Sequence, residues 1–159
     1  MPPLEIESLD SLKKFEGGEF PATDWFVVTQ DRILTFADAT EDRQWIHLDS
    51  ERAQRETPFG GSIAHGFLTL SLLSYFVNQA IQIKSGIATS INYGLNKVRF
   101  PSAVRSGAAV RARVALLSVN ESPEFVDAGF LVNIESQPVE NQPHKPCCVA
   151  EWLVRYYRK

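Results

Sequence analysis

The sequence predicts an α+β fold in which a curved antiparallel sheet wraps around one long buried helix. Three observations carry that expectation. Residues 64–80 read AHGFLTLSLLSYFVNQA, a helix-length stretch with almost no polar face. The second half of the chain alternates apolar and polar residues with period two. Turn residues, and no helix-length pattern, separate those alternating runs. A helix that is apolar all round has to be covered, and consecutive amphipathic strands form an antiparallel sheet with one dry face to cover it. The chain has 159 residues, the size of a single domain spanning residues 1–159, in which residues 1–22 form an N-terminal extension with a short helix.

The elements follow in chain order. Ser8 to Phe15 is a short helix with Leu9 and Leu12 on one face, stopped by Gly17-Gly18. Trp25 to Val28 is a short apolar strand. Thr29 caps a helix that runs through Thr40, with Asp31 in its first turn and Ile33, Phe36, Ala37 and Thr40 on one face. Asp49 caps a second short helix, Ser50 to Glu56, where Glu51 and Arg55 are spaced for a surface pair. Residues 57–62, TPFGGS, are a breaker cluster and form a loop. After the apolar helix come four strands arranged as a meander. Ile91 to Phe100 is the first, stopped by Pro101. The second turns Val110, Ala112, Val114 and Leu116 to one face, with Arg111 and Arg113 opposite. The third turns Val126, Ala128, Phe130, Val132 and Ile134 inward, and the last does so with Cys148, Ala150, Trp152, Val154 and Tyr156.

Composition excludes several function classes. With 16 Lys+Arg against 19 Asp+Glu the net charge is −3, and no basic run offers a nucleic-acid surface. No stretch approaches the roughly 20 apolar residues of a membrane-spanning helix. The N-terminus has no basic segment followed by an apolar run, so it is not read as a secretory signal, and a cytoplasmic setting is expected. The only cysteines, Cys147 and Cys148, are neighbours that a strand turns to opposite faces, so no disulfide is expected.

The candidate chemistry lies in two segments, FADATEDRQWIHLD and GGSIAHGFLTLSLL. Of the three histidines, His144 sits in QPHKP and reads as a solvated turn residue, whereas His47 and His65 fall in these segments. Asp42 and His47 are five residues apart, a spacing that converges only if a turn intervenes, and the first helix does end near Thr40. A carboxylate and an imidazole sharing a water form a general acid–base pair; the same spacing also fits a turn carboxylate and a packed loop histidine. Gly66 opens the apolar helix, where a free backbone N–H unobstructed by a side chain suits a developing oxyanion, although residues 61–66 equally form a tight lead into the helix. His47, Asp49 and His65 could be assembled into a metal site on paper. No metal is expected, because zinc spacing is missing and Asp49 is needed as a cap. Ser62 lies in GGSIA rather than a nucleophile elbow.

Together, Asp42 to Asp49 (DRQWIHLD), Ile63-Ala64-His65-Gly66, the apolar helix down to Ser74, and residues 92–114 (NYGLNKVRFPSAVRSGAAVRARV) resemble the MaoC-like hydratase family, the R-specific enoyl-CoA hydratases with a hotdog fold, and within it the NodN-like branch. The resemblance covers residues 23–115. It implies that Asp42 and His47 are the catalytic pair, that Gly66 supplies the oxyanion-hole N–H, and that Ser74 is a pocket serine able to orient Asp42. His65, Trp45 and Tyr93 would complete the substrate pocket. One departure is Gln44-Trp45, where the family commonly has Asn-Pro; proline would have fixed the loop before the histidine, and here Trp45 would hold it by packing.

The implied reaction is reversible addition of water to a trans-2-enoyl thioester, giving an (R)-3-hydroxyacyl thioester. The implied partner is an acyl-CoA or acyl-carrier-protein thioester, with no cofactor beyond the coenzyme A that the substrate carries. A hotdog thioesterase and a non-catalytic acyl-thioester-binding protein are the alternative readings. One such unit covers its helix from one side only, and the resemblance, in which two units pair, implies a homodimer or higher homo-oligomer.

Overall fold

The computed structural model describes residues 2–137 and 145–159; His144 lies outside the described residues. The chain begins with β1 (Leu4–Ile6), a 3-10 helix (Leu9–Phe15) and β2 (Phe26–Val27). Helices α1 (Gln30–Thr40), α2 (Trp45–Leu48) and α3 (Ser50–Glu56) lead to α4 (Gly66–Ser71) and α5 (Leu73–Ala80). Strands β3 (Ile81–Ile83), β4 (Ile87–Arg99), β5 (Ala109–Glu121), β6 (Phe125–Ser136) and β7 (Pro146–Arg158) complete it.

The period-2 runs form the expected antiparallel sheet. Val110, Ala112, Val114 and Leu116 of β5, the five apolar residues from Val126 to Ile134 of β6, and Cys148 to Tyr156 on β7 are all buried on one face. Phe76 of α5, fully buried, packs in the same core. The N-terminal residues belong to this core as well. Ile6, Leu9, Leu12 and Phe20 are buried in it, and β1 pairs in parallel with β3. Cys147 and Cys148 are both free and buried. Burial pushes their thiols up, to about 12 and about 11, so both stay protonated.

Four details differ from the sequence expectation. The sheet order is β2-β5-β6-β7-β4, so β4 pairs with β7 at the far edge instead of extending the meander beside β5. The connection from β4 to β5 crosses the start of α4, where Ala64 N–H donates to Val104 O at 2.8 Å and Ser106 N–H to Ser62 O at 2.9 Å. The apolar helix is broken at Leu72 into α4 and α5. There the Ser71 hydroxyl donates to Phe67 O at 2.6 Å, and Leu72 N–H reaches Thr69 O, a tightened i, i+3 turn. Nor is that helix pair buried all round. Thr69, Leu73, Phe76, Val77 and Ala80 form the buried stripe, while Phe67 is 66% exposed and Tyr75 41%. The ion pair on α3 joins Arg52 to Glu56 at 3.0 Å, not Glu51 to Arg55.

Strand β4 is paired on one side only, and it carries the exposed apolar residues Ile91, Tyr93 and Leu95. No helix among the described residues is long and apolar enough to cross a membrane.

Candidate active site

Local sequence sets the positions of the loop residues. Thr29 caps α1 as expected, accepting from Arg32 N–H. The helix ends at Glu41, whose φ of +61° is the only positive value at a non-glycine residue among those described. That left-handed residue reverses the chain, so that Asp42 does not continue the helical rise. Arg43 braces the reversal by pairing with Asp38 at 2.5 Å and Glu41 at 3.3 Å. The short α2 then carries His47, and Asp49 caps α3 by accepting from Arg52 N–H at 2.9 Å.

His47 is 6% exposed and fixed from several sides. Its Nδ1 lies 2.7 Å from the Ile63 carbonyl. A carbonyl only accepts, so Nδ1 carries the proton and the neutral ring keeps its Nε2 lone pair free. The adjacent backbone repeats the link, with Ile63 N–H donating to Ile46 O at 3.1 Å. The His47 ring stacks on His65, with centroids 3.8 Å apart and 25° between the planes. Burial, the largest influence, holds His47 below its ordinary value of 6.5, and a charge on neighbouring His65 would push the same way; the Ile63 carbonyl and Asp42 oppose the shift. His47 is therefore a neutral base at pH 7.

Asp42 is exposed, and its carboxylate accepts from Gln44 N–H at 3.4 Å. Its own carbonyl accepts from His65 Nε2–H at 2.9 Å, so His65 grips the backbone that presents the carboxylate. His65 is 2% exposed, and its other ring nitrogen, Nδ1, has no hydrogen-bond partner among the described residues. Gly66 follows as the first residue of α4, where its N–H has no carbonyl four residues earlier in the helix to bind. A Cβ at Gly66 would lie 3.1 Å from the Phe100 ring, so glycine lets that ring close against the backbone. His47 and Gly66 line one cavity of about 410 Å³, with Phe59, Thr69, Phe100 and Cys147 on its wall.

One potential ligand atom from each of Asp42, His47 and His65 lies within 4.8 Å of the others. Asp42, rather than Asp49, is thus the carboxylate that joins the histidines. The set has the composition of a divalent-cation site. His47 Nδ1 and His65 Nε2 are, however, already committed to the Ile63 and Asp42 carbonyls, so each ring has one nitrogen left to offer.

The other residues singled out from the sequence lie elsewhere. Ser74 is exposed and lines a separate groove of about 300 Å³ between α4–α5 and β4, bordered by Phe67, Leu70, Tyr93, Leu95 and Trp152. Asp42 is not among the residues of that groove, and the structure does not bring Ser74 to it. The Tyr93 ring lies 4.0 Å from the Arg155 guanidinium. Trp45 lines neither cavity, because the Arg52 guanidinium sits over its ring at 4.0 Å. Two further residues are linked to His47: Gln30, which the sequence did not single out, and Ser62, set aside there as a nucleophile. Gln30 Nε2 donates to His47 O at 2.8 Å, and Ser62 Oγ donates to Gln30 Oε1 at 2.7 Å. Neither stands in a motif, and only the fold brings them to α2.

Comparison with known proteins places this geometry in context. The domain family described as MaoC like domain matches residues 13–128. The 3-hydroxyacyl-thioester dehydratase Z of Mycobacterium tuberculosis is 45% identical over 152 residues, covering 95% of this chain and 97% of that protein. Nodulation protein N of Rhizobium leguminosarum bv. viciae is 42% identical, covering 86% of this chain and 83% of its own length. Among solved structures, the (R)-hydratase from A. caviae involved in PHA biosynthesis aligns with a TM-score of 0.67 at 24% identity, covering 87% of this chain and 94% of that one. The curved sheet and its helices are the hotdog arrangement that the sequence led us to expect.

The lowered His47 value has a consequence for acid stability. The unfolded chain takes up the proton more readily than the folded one, so stability is intact above about pH 6.5 and falls as pH drops through the folded value. Denaturant unfolding at a series of pH values between 7.5 and 5 is expected to show a steeper acid-side loss for wild type than for His47→Gln. The extra slope approaches, at most, about 1.4 kcal/mol per pH unit; equal slopes would mean that His47 is not held neutral.

Proposed function

This chain belongs to the MaoC-like domain family, and on that premise we propose that it is a hydratase/dehydratase adding water reversibly to trans-2-enoyl thioesters, giving (R)-3-hydroxyacyl thioesters. The observation that carries the reading is the approach of the exposed Asp42 carboxylate to the buried neutral imidazole of His47, which in turn lines one cavity with the helix-terminal Gly66. The dehydratase name of the relative at 45% identity points the same way.

In the proposed mechanism the Asp42 carboxylate and His47 Nε2 both accept from one water and so aim its oxygen. As that oxygen bonds to the β-carbon of the enoyl thioester, the pair takes up the released proton. Electron density moves to the thioester oxygen, where the Gly66 N–H stabilises the enolate. The pair then returns a proton to the α-carbon, so that H and OH have been added across the double bond. No metal or redox group enters these steps, and coenzyme A or a carrier protein arrives with the substrate. Ser74 and Tyr93, which line the groove beside β4, are assigned to the wider substrate surface, outside the reacting centre; Trp45, which lines neither cavity, is not. The protein is expected to act in the cytoplasm.

The working unit in this reading is a homodimer. The unpaired edge of β4, with Ile91, Tyr93 and Leu95 exposed along it, adjoins the groove beside the exposed flank of α4–α5. A second copy pairing there would satisfy the edge and cover apolar surface that a lone chain leaves in water. Sedimentation is expected to give twice the chain mass for wild type and a shift toward monomer for Leu95→Lys. A wild-type monomer at all accessible concentrations would contradict the dimer.

The activity test follows loss of the conjugated enoyl-thioester absorbance beside a free-thiol assay. Asp42→Asn and His47→Ala are each expected to lower kcat by roughly two orders of magnitude or more, the scale of general acid–base contributions, with the fold retained by circular dichroism. Thiol release without absorbance loss would favour a thioesterase, and absence of both signals across short, medium and long acyl chains would favour a binding protein. Full activity in either variant would remove the acid–base assignment.

A further inference from the structure

A histidine that shares one water with a carboxylate is useful only while its ring stays aimed, and in this chain the segment before it lacks a proline to hold it. The sequence raised Trp45 as the substitute brace. The structure has Trp45 turned against Arg52 instead, so the question is what fixes the backbone of α2 on the side away from Ile63.

Resting on the reading of His47 as the acid–base partner, we infer that Gln30 is a positioning residue for His47, itself oriented by Ser62. The His47 carbonyl can only accept, so it takes the Gln30 amide Nε2–H at 2.8 Å. That choice turns Gln30 Oε1 toward Ser62, whose hydroxyl donates to it at 2.7 Å. Both ends of the amide are therefore used in one sense only, and no other side chain of this length both donates and accepts in that way at neutral pH. The clasp closes a ring of contacts. Ser62 is buried and precedes Ile63, which bonds the Ile46 carbonyl through its N–H and the His47 ring through its carbonyl. Gln30 thus ties the front of α1 to the carbonyl of His47, while Ile63 ties down its ring. Gln30 itself is set in place as the first residue of a helix capped by Thr29. Its side chain reaches the same turn that carries the base, 17 positions along the chain.

The substitution Gln30→Glu keeps the size and removes the donor, placing a carboxylate against a carbonyl. Gln30→Ala removes both bonds. Each is expected to lower kcat by roughly tenfold to a hundredfold while KM stays within about twofold, because a displacement of about 1 Å in a positioned group carries that scale of loss. Ser62→Ala is expected to be milder, and Ser62→Thr, which retains the hydroxyl, to restore most of the rate. The double variant Gln30→Ala/Ser62→Ala should be no slower than Gln30→Ala alone, since the serine acts through the amide. Assays run well below each variant's unfolding midpoint separate positioning from simple loss of folded protein.

Gln30→Glu retaining at least half of wild-type kcat, or a rise in KM with kcat unchanged, would overturn the inference. Wild type and His47→Ala are run beside these variants. If wild type is inactive, or His47→Ala matches it, the hydratase reading itself fails. The positioning claim is then judged on the His47 ring proton resonances. They are expected to shift and broaden in Gln30→Glu and Gln30→Ala, and unchanged resonances would overturn it.

Discussion

A buried neutral imidazole has to give its ring N–H to an acceptor, and in this chain the acceptor is the Ile63 carbonyl, 2.7 Å from His47 Nδ1. The remaining site geometry follows from that bond. It selects the tautomer that leaves Nε2 free, sets the plane in which the ring stacks on His65, and aligns α2 so that Ile63 N–H meets the Ile46 carbonyl. His65, held by the stack, in turn donates to the carbonyl of Asp42. One short segment, residues 62–66, therefore holds both the His47 ring and the Asp42 backbone, and its glycine lines the same cavity as His47.

The sheet stabilises that segment from behind. The connection from β4 to β5 crosses it, bonding Ala64 to Val104 and Ser106 to Ser62, with a bridge between Ile63 and Arg105. Val104 is buried in the core formed by β5, β6, β7 and α5. The crossing that places β4 at the far edge of the sheet, beside β7, is thus the same feature that braces the loop holding His47. Strand order and the placement of residues 62–66 are linked, with the long apolar strands supporting the loop.

Much of this was legible in the sequence where a local rule decides the outcome. Period-2 alternation marked the inward residues of β5, β6 and β7, and the caps at Thr29 and Asp49 marked the starts of α1 and α3. Asp42, His47 and Gly66 were singled out because their chemistry is distinctive and their resemblance local, and the fold brings Asp42 beside His47 and puts His47 and Gly66 on one cavity. What stayed hidden depends on contacts between distant segments. Nothing near β4 announces that it pairs with β7. The break at Leu72, where Leu72 N–H reaches Thr69 O in a tightened turn, has no local breaker residue to announce it. Trp45 packs under Arg52 and Ser74 lines a separate groove, placements set by contacts with α3 and β4 that no local pattern announces. Gln30 is an ordinary first-turn glutamine until the fold brings α2 to it.

The central claim is that His47 stands at neutral pH as the Nδ1-protonated neutral imidazole with Nε2 unprotonated. Nitrogen-15 NMR of the histidine rings reads this directly. At pH 7 the account predicts a protonated, pyrrole-like Nδ1 that slows in exchange with water and a pyridine-like Nε2 for His47. An Nε2–H tautomer, or an imidazolium with both nitrogens protonated, would contradict it.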